Sequence, residues 1–596
     1  MRATAQAHWR MAGVCGRKGK RPRVASPGER RVSSEAPRRD NGGIRFSLGS
    51  NRDESPTYPR TQLTLRLRDT LTRSVRTVEP LEPGRVRMYA CGPTVYRYAH
   101  VGNLRTFLLP DLIRRVLLYH GLEVVHVQNI TDVGHLREDA AGREVDPMLV
   151  AAGLEGRSSR EIADAYEAAY HADAALLNLL PAHVFPRATE HVDDMIELAE
   201  RLEDLGHAYL SPAGNLYYAV ATFPSYGALS GNTLDALRAG HRSEVEPDKR
   251  DPADFALWKA AGPDRELRWS SRRWGEGFPG WHLECSAMAL RHLGARFDIH
   301  TGGEDNVFPH HEDEIAQSAP LVGGPPASRW VHGAHVLMSG RKMSKSAGNF
   351  QRVTELAAAG LDPLAFRYLC LTARYGRKVS LSDTSLAAAA AGLDSLRAGL
   401  RALGEPPTDG PWASDRPLIA GESGGRPAGR AVGIAGHGDG GIEQPAIEDR
   451  ATAPRAPLSP AGRTLHERFV AALDDDLDLP SALRVVRQTL RAPLPPDERR
   501  WLILDWDFVL GLDLHRAWES PSAELPAGAA ALLAARSDAR RTRDFAAADR
   551  LRSELRTLGV EPIDRPDGSS DWQPIDQSDD GPTARSSLVR KRSSNR

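Results

Sequence analysis

Cysteine is scarce in this sequence. Only 4 occur in 596 residues, with no Cys-x-x-Cys pair, so a disulfide framework is excluded. Net charge is also missing: lysine plus arginine and aspartate plus glutamate each number 78, so no global field draws in nucleic acid. Any such contact must come from local patches. No apolar run approaches membrane-spanning length, which predicts a soluble chain with no membrane partner. Few cysteines and no signal peptide make the cytoplasm the expected location.

At 596 residues the chain exceeds a single core and predicts two or three domains. From Val86 onward strands and helices alternate, which indicates a doubly wound α/β core with its ligand at the strand C-termini. Val86 to Ala90 is short and largely apolar, as a buried parallel strand would be. Gly92-Pro93 breaks it, and Leu104 to Leu118 carries apolar residues at helical spacing. His100, Val101, Gly102 and Asn103 therefore sit where a strand feeds a helix N-terminus. Unpaired N–H groups and the helix dipole favour phosphate there. Gly102 allows close approach, and His100 and Asn103 can donate to phosphate oxygens. A capping histidine would look the same from these residues alone.

The run Arg341 to Asn349 reads Arg-Lys-Met-Ser-Lys-Ser-Ala-Gly-Asn. Lys342 and Lys345 are compact, flexible charges suited to a polyphosphate, although a solvated basic turn shares the composition. Lys342 to Ser346 resembles the signature loop of class I aminoacyl-tRNA synthetases, and His100 to Asn103 resembles the first signature of that class. Five blocks narrow the likeness. They are Cys91 to Asn103, Asn129 to Asp132, Asp251 to Lys259, Gly280 to Met288 and Phe308 to Glu314. In their order they resemble cysteinyl-tRNA synthetases, from about Leu63 to about Arg401 and again from about Thr464 to Trp572.

Metal chemistry can be read beside that likeness. Cys91 closes a strand, Cys285 lies in an apolar segment, and His310 and Glu314 stand four apart in a helical pattern. Thiolates, imidazole and carboxylate suit zinc, but on spacing alone His311 competes with His310. The resemblance implies Cys91, Cys285, His310 and Glu314 as ligands of one Zn²⁺. It also implies catalytic roles for His100, Asn103, Lys342 and Lys345, with Mg²⁺ accompanying ATP. ATP contacts would come from His100, Gly102, Asn103, Gly302, Gly303, Asp305 and Lys345. Thr131 and Trp281 would enclose the cysteine. The implied reaction is ATP-dependent ligation of L-cysteine to tRNA(Cys) through cysteinyl-adenylate, releasing pyrophosphate and AMP. Zinc would select the substrate thiolate, which leaves no need for an editing domain.

The implied architecture is a Rossmann-like catalytic domain over 62–136 and 276–350, interrupted by an acceptor-end insertion over 137–275. A helical bundle over 351–403 and 463–525 would follow, then an anticodon-binding module over 526–576. Residues 404–462 are rich in Gly, Pro and charge without periodicity and predict a disordered linker. The segments 1–61 and 577–596 predict a disordered extension and a flexible tail, and the whole is expected to be monomeric. Some details depart from the family pattern. Gly134-His135 stands where two aspartates are common, and Thr301 and Glu304 replace the more usual glycine and serine. Two rival readings share the core: a cysteine-activating ligase of the mycothiol type, and an inactive tRNA-binding paralogue. Pro93-Thr94-Val95-Tyr96 and the basic segment Ala529 to Leu558 favour the synthetase over the first.

Overall fold

A computed structural model describes residues 63–135, 137–138, 144–233, 248–262, 265–338, 341–342, 352–407, 412, 458–518, 529–542, 544–564 and 570–574. The expected extension over 1–61, nearly all of the linker over 404–462 and the tail over 577–596 lie outside the described residues.

The parallel α/β core is present. Its strands and helices alternate as Arg85–Ala90 (β1), Val101–Tyr119 (α1), Glu123–Gln128 (β2), Trp281–Leu293 (α2), Phe297–Gly303 (β3), Glu312–Val322 (α3) and Ala327–Gly333 (β4). The four strands are all parallel and lie in the order β4-β3-β1-β2. The chain leaves β1 towards β2 on one side and returns to β3 on the other. The boundary between β1 and β3 is therefore the topological switch point, where such sheets open a crevice at their strand ends. Register pairs Thr301 with Ala90, so Cys91 and the pair Gly302-Gly303 emerge side by side. Every residue of β3 is buried, as a strand covered on both faces requires. The strand expected over Arg296 to His300 thus extends through Gly303, and the glycine pair belongs to it.

Between β2 and α2, the described residues include the α-helices Pro147–Glu155, Ser159–Leu176 and Val192–Asp204 and a five-stranded antiparallel sheet that ends with Gly275–Pro279. One hydrophobic cluster contains Tyr89 and Cys91, at the C-terminal end of β1, together with Leu216, Tyr218 and Trp258 of this antiparallel sheet. The insertion is thereby packed directly against the strand ends that form the crevice.

Helices dominate after Val379–Leu381: Asp383–Arg401, Pro460–Asp474, Leu479–Thr489 and Pro496–Leu510. The helical pattern over Leu465 to Leu490 is broken in the structure, where Asp476 (φ 54°) and Leu477 (φ 51°) turn left-handed. The Asp476 N–H donates to the Arg66 carbonyl at 3.1 Å, and Asp478 caps the next helix by accepting from Ser481 N. The basic segment Ala529 to Leu558 likewise divides into Ala529–Arg541 and Phe545–Thr557, the second capped by Asp544. An antiparallel pair, Val560–Asp564 and Ser570–Pro574, follows.

Candidate active site and metal centre

The site is built at the end of β1. Gly92 follows Cys91 where a Cβ would lie 1.6 Å from the Asn129 carbonyl oxygen, so only glycine fits. Its N–H donates to Asn129 Oδ1 at 2.8 Å, and Asn129 Nδ2 donates to Thr131 Oγ1 at 3.0 Å. Thr131 pairs with Pro93 and Val95 through its backbone, and its side chain is buried. Further along the same turn, His100 is the N-cap of α1. Its Nδ1 accepts from Asn103 N at 3.1 Å, while Asn103 Oδ1 accepts from His100 N at 3.2 Å. A Cβ on Gly102 would meet the His100 ring at 2.8 Å. The cap engages His100 Nδ1 and the Asn103 side-chain oxygen, and both residues line the crevice.

Four further residues come together at the crevice floor. The ligand atoms of Cys91, Cys285, His310 and Glu314 all lie within 4.8 Å of one another, and all four side chains are buried. Cys285 comes from α2 and Glu314 from α3. His310 comes from a π-type turn, Val307–His311, that contains the cis peptide Phe308–Pro309. The helical pattern that holds both His310 and Glu314 in the sequence is divided in the structure, where α3 begins at Glu312 and His310 precedes it. His310 Nε2 is 3.1 Å from Glu314 Oε1, and Cys91 Sγ is 3.8 Å from the same oxygen. A second set, Cys91, His300, His311 and Glu314, meets the same distance condition. It draws on His300 of β3, whose Nε2 lies 2.8 Å from Glu314 Oε2.

Burial dominates the electrostatics here. It pushes the Cys91 thiol well up, aided by Cys285 and Glu314, and it holds His310 and His311 well below the usual imidazole range. For Cys285 the hydrogen bond with Cys91 pulls the thiol down, but burial and the charges of Glu314 and Glu284 outweigh it. Neutral imidazoles, suppressed thiols and carboxylate oxygens in one dry pocket make a donor set that a divalent cation would complete. A tetrahedral zinc needs ligand atoms about 3.3–3.8 Å apart, given bonds of about 2.0–2.3 Å, so a small contraction closes the set.

Above this floor lies a cleft of about 1040 Å³, walled in part by Cys91, His100, Asn103, Trp281 and Asp305. Gly303 N donates to Asn306 Oδ1 at 2.9 Å, and a Cβ on Gly303 would collide with Asp305 Oδ1 at 2.5 Å. A Cβ on Gly302 would strike the His311 ring at 2.7 Å. The glycine pair therefore lets the floor and the Asp305 wall approach each other. Of the two lysines in the signature run, Lys345 lies outside the described residues. Lys342 is described only as backbone, in a short strand with Arg341 that pairs with Val336–Met338.

Sequence reasoning missed His282 and His332, which support the floor. His311 Nδ1 is 2.8 Å from His332 Nε2, and His332 Nδ1 is 2.7 Å from Thr70 Oγ1. His282 Nδ1 lies 2.8 Å from His310 Nδ1. His135, which stands where the family pattern has an aspartate, reaches the buried Glu284 at 2.5 Å and lines the cleft. The density of histidine within Trp281 to His335 was the available signal.

The family model for class I (C) tRNA synthetase catalytic domains matches residues 77–391, more than half of the chain. That for the cysteinyl-tRNA ligase anticodon-binding domain matches residues 522–561. A Burkholderia lata cysteine--tRNA ligase 1 is 40% identical over 507 residues, covering 85% of this chain and 96% of its own. A Symbiobacterium thermophilum cysteine--tRNA ligase is 39% identical over 516 residues, covering 85% and 98%. Among solved structures, a Mycobacterium tuberculosis methionyl-tRNA synthetase bound by methionyl-adenylate aligns at 15% identity with a TM-score of 0.45, covering 78% of this chain and 96% of its own.

Proposed function

The chain belongs to the cysteinyl-tRNA synthetase family of class I aminoacyl-tRNA synthetases, and from that premise we propose that the crevice between β1 and β3 binds ATP at the α1 N-terminus and cysteine above the Cys91 floor. As a cysteine--tRNA ligase it uses ATP to join L-cysteine to tRNA(Cys). The cysteine carboxylate attacks the α-phosphorus of ATP, and pyrophosphate leaves. The 2′-hydroxyl of the terminal adenosine then attacks the adenylate carbonyl, and AMP leaves. Both steps depend on positioning and on charge stabilisation.

The first-turn N–H groups of Val101 and Gly102, which the cap does not use, face the triphosphate, together with the His100 and Asn103 side chains. The α1 cap occupies the Asn103 oxygen, so its Nδ2 donors are turned to phosphate. Lys342 and Lys345 hold the leaving pyrophosphate, with Mg²⁺ arriving on ATP. Gly302 and Gly303 let the nucleotide close on β3, and Asp305 accepts from the ribose hydroxyls. Trp281 walls the cysteine, and Thr131 supports the turn beneath it through Asn129. Cys91, Cys285, His310 and Glu314 would hold zinc, which supplies a soft Lewis acid that prefers a thiolate to the hydroxyl of serine. No helix among the described residues is long and apolar enough to cross a membrane. A monomeric cytoplasmic enzyme completes the reading.

The observation that carries it is the buried two-thiol, imidazole and carboxylate set, whose Cys91 lines the same cleft as the helix N-terminus that would take phosphate. Cysteine-dependent ATP–pyrophosphate exchange and charging of tRNA(Cys) test it. Cys285→Ser should lose bound zinc and the rejection of serine while retaining ATP binding. Retention of full discrimination against serine by a zinc-free Cys285→Ser protein would overturn the metal's role.

A further inference from the structure

The cleft is more basic than the chain that contains it. Arg97, Lys249 and Lys259 line it against a single carboxylate, Asp305, whereas the whole chain has a net charge of +0. Its volume of about 1040 Å³ lies at the upper limit for a pocket that encloses one small ligand, about 300–1,000 Å³. Tyr98 stands at its rim, 40% exposed.

The Tyr98 ring is held on two sides. The Arg352 guanidinium lies 3.6 Å from its centroid, and the edge of Tyr166 packs at 4.8 Å. Both clamps are themselves anchored. Arg352 approaches the buried Asp173 at 3.7 Å, and the Tyr166 hydroxyl donates to Glu155 at 2.6 Å. Beside them, Arg97 sits over Tyr96 at 5.2 Å. None of these groups is needed for the ATP, cysteine or metal contacts assigned above. An aromatic ring fixed in place, left open to a cleft and flanked by cations has the chemistry of a platform for an unpaired base. Stacking recognises any base through its π-face, and basic side chains follow the phosphates. Ordering the ring beforehand reduces the entropy lost on binding.

We propose that Tyr98, clamped by Arg352 and Tyr166, stacks an unpaired nucleotide of the tRNA 3′ end, with Arg97 and Lys249 beside the adjoining phosphates. This rests on the reading of the chain as a tRNA ligase, and the two can fail separately. The test compares full-length wild type, Tyr98→Ala and Tyr98→Phe in cysteine-dependent pyrophosphate exchange and in charging of a tRNA(Cys) transcript. Tyr98→Ala should lower kcat/KM for tRNA by about tenfold or more, and should lower exchange several times less than charging. Tyr98→Phe should stay close to wild type in both, because stacking does not require the hydroxyl. A short hairpin RNA ending in four unpaired nucleotides should inhibit charging by wild type and by Tyr98→Phe, and inhibit Tyr98→Ala much less. An equal fall of both steps in Tyr98→Ala, or no fall in charging, would overturn the proposal. Absence of charging by the wild type would instead remove the reading beneath it.

Discussion

His310 and His311 are neighbours in sequence, yet each belongs to a different geometric set around Glu314. His310 Nε2 is 3.1 Å from Glu314 Oε1, and His311 Nε2 is 3.1 Å from Cys91 Sγ. What separates them is the other ring nitrogen. His310 Nδ1 meets His282, whereas His311 Nδ1 is tied through His332 to Thr70, a chain that fixes the ring under the β3 glycines. We therefore expect His310→Ala to lose most of its zinc on dialysis and His311→Ala to keep close to one ion per chain, as read by metal analysis. The reverse result would move the ion to the His300–His311 set. Gly92 makes a second prediction at this scale. Its missing side chain admits the Asn129 carbonyl, so Gly92→Ala must displace the turn that carries Cys91. The expected cost is about 3 kcal/mol or more, seen as a lower urea midpoint together with weakened zinc retention.

At the level of elements, α1 is tied to the helical region by buried arginines. Asp111 on α1 accepts from Arg115 at 3.0 Å and from Arg367 at 2.7 Å, and both guanidiniums continue to backbone carbonyls. Arg115 reaches Phe508 O at 2.7 Å and Arg367 reaches Leu510 O at 2.6 Å, at the C-terminal end of Pro496–Leu510, where the helix dipole favours cations. Gly511 closes that helix at φ 62°, and a Cβ there would meet the Arg367 guanidinium at 2.5 Å. Burial pushes the Asp111 carboxyl up, but the two arginines and the Leu180 N–H more than offset it and leave it below the usual range. Asp111→Ala should therefore strand two buried cations and lower stability by about 3–5 kcal/mol. Urea unfolding measures this. A loss under about 1 kcal/mol would mean that the carbonyls alone satisfy the arginines. This element-level wiring was not legible in the sequence, where Arg115 and Arg367 sit in helical patterns that do not reveal partners hundreds of residues away. The break at Asp476-Leu477 was hidden for a related reason. Apolar spacing continues across it, and the left-handed pair is held by contacts distant in sequence: Asp476 N–H donates to the Arg66 carbonyl, while Leu477 is fully buried in the core.

For the molecule as a whole, what could be read in advance follows from contiguity. The β1-to-α1 run and the turn before α3 each compress several chemical groups into one short stretch, so Cys91, His100, Asn103, His310 and Glu314 were nameable together. His300 and His332 were not, because each lies in an apolar strand that reads as core, and only the parallel register of β3 and β4 brings them to the floor. Buried histidine is not confined to the cluster around Glu314, and it makes stability depend on pH. His126 on β2, which belongs to neither candidate ligand set, is 2% exposed, and its two ring nitrogens have no hydrogen-bond partner. Burial, then the charges of Arg114 and His183, hold it well below the ordinary imidazole range. Its neighbour His183, beside the Arg114 guanidinium at 2.7 Å, is lowered to about 4, chiefly by burial. A depressed folded-state pKa means that the unfolded chain takes up the proton first. The stability it contributes is present above pH 6.5, the ordinary value for histidine, and is lost as pH falls below it. At pH 5, about 1.5 units below that value, a histidine kept neutral only in the fold costs about 2 kcal/mol. His126→Phe removes the titrating group while keeping a ring in the sheet. Urea midpoints measured from pH 7.5 to pH 5 should therefore fall less steeply for His126→Phe than for wild type, whatever the offset between them at pH 7.5. Parallel pH profiles for the two proteins would show that His126 titrates alike in the folded and unfolded chain.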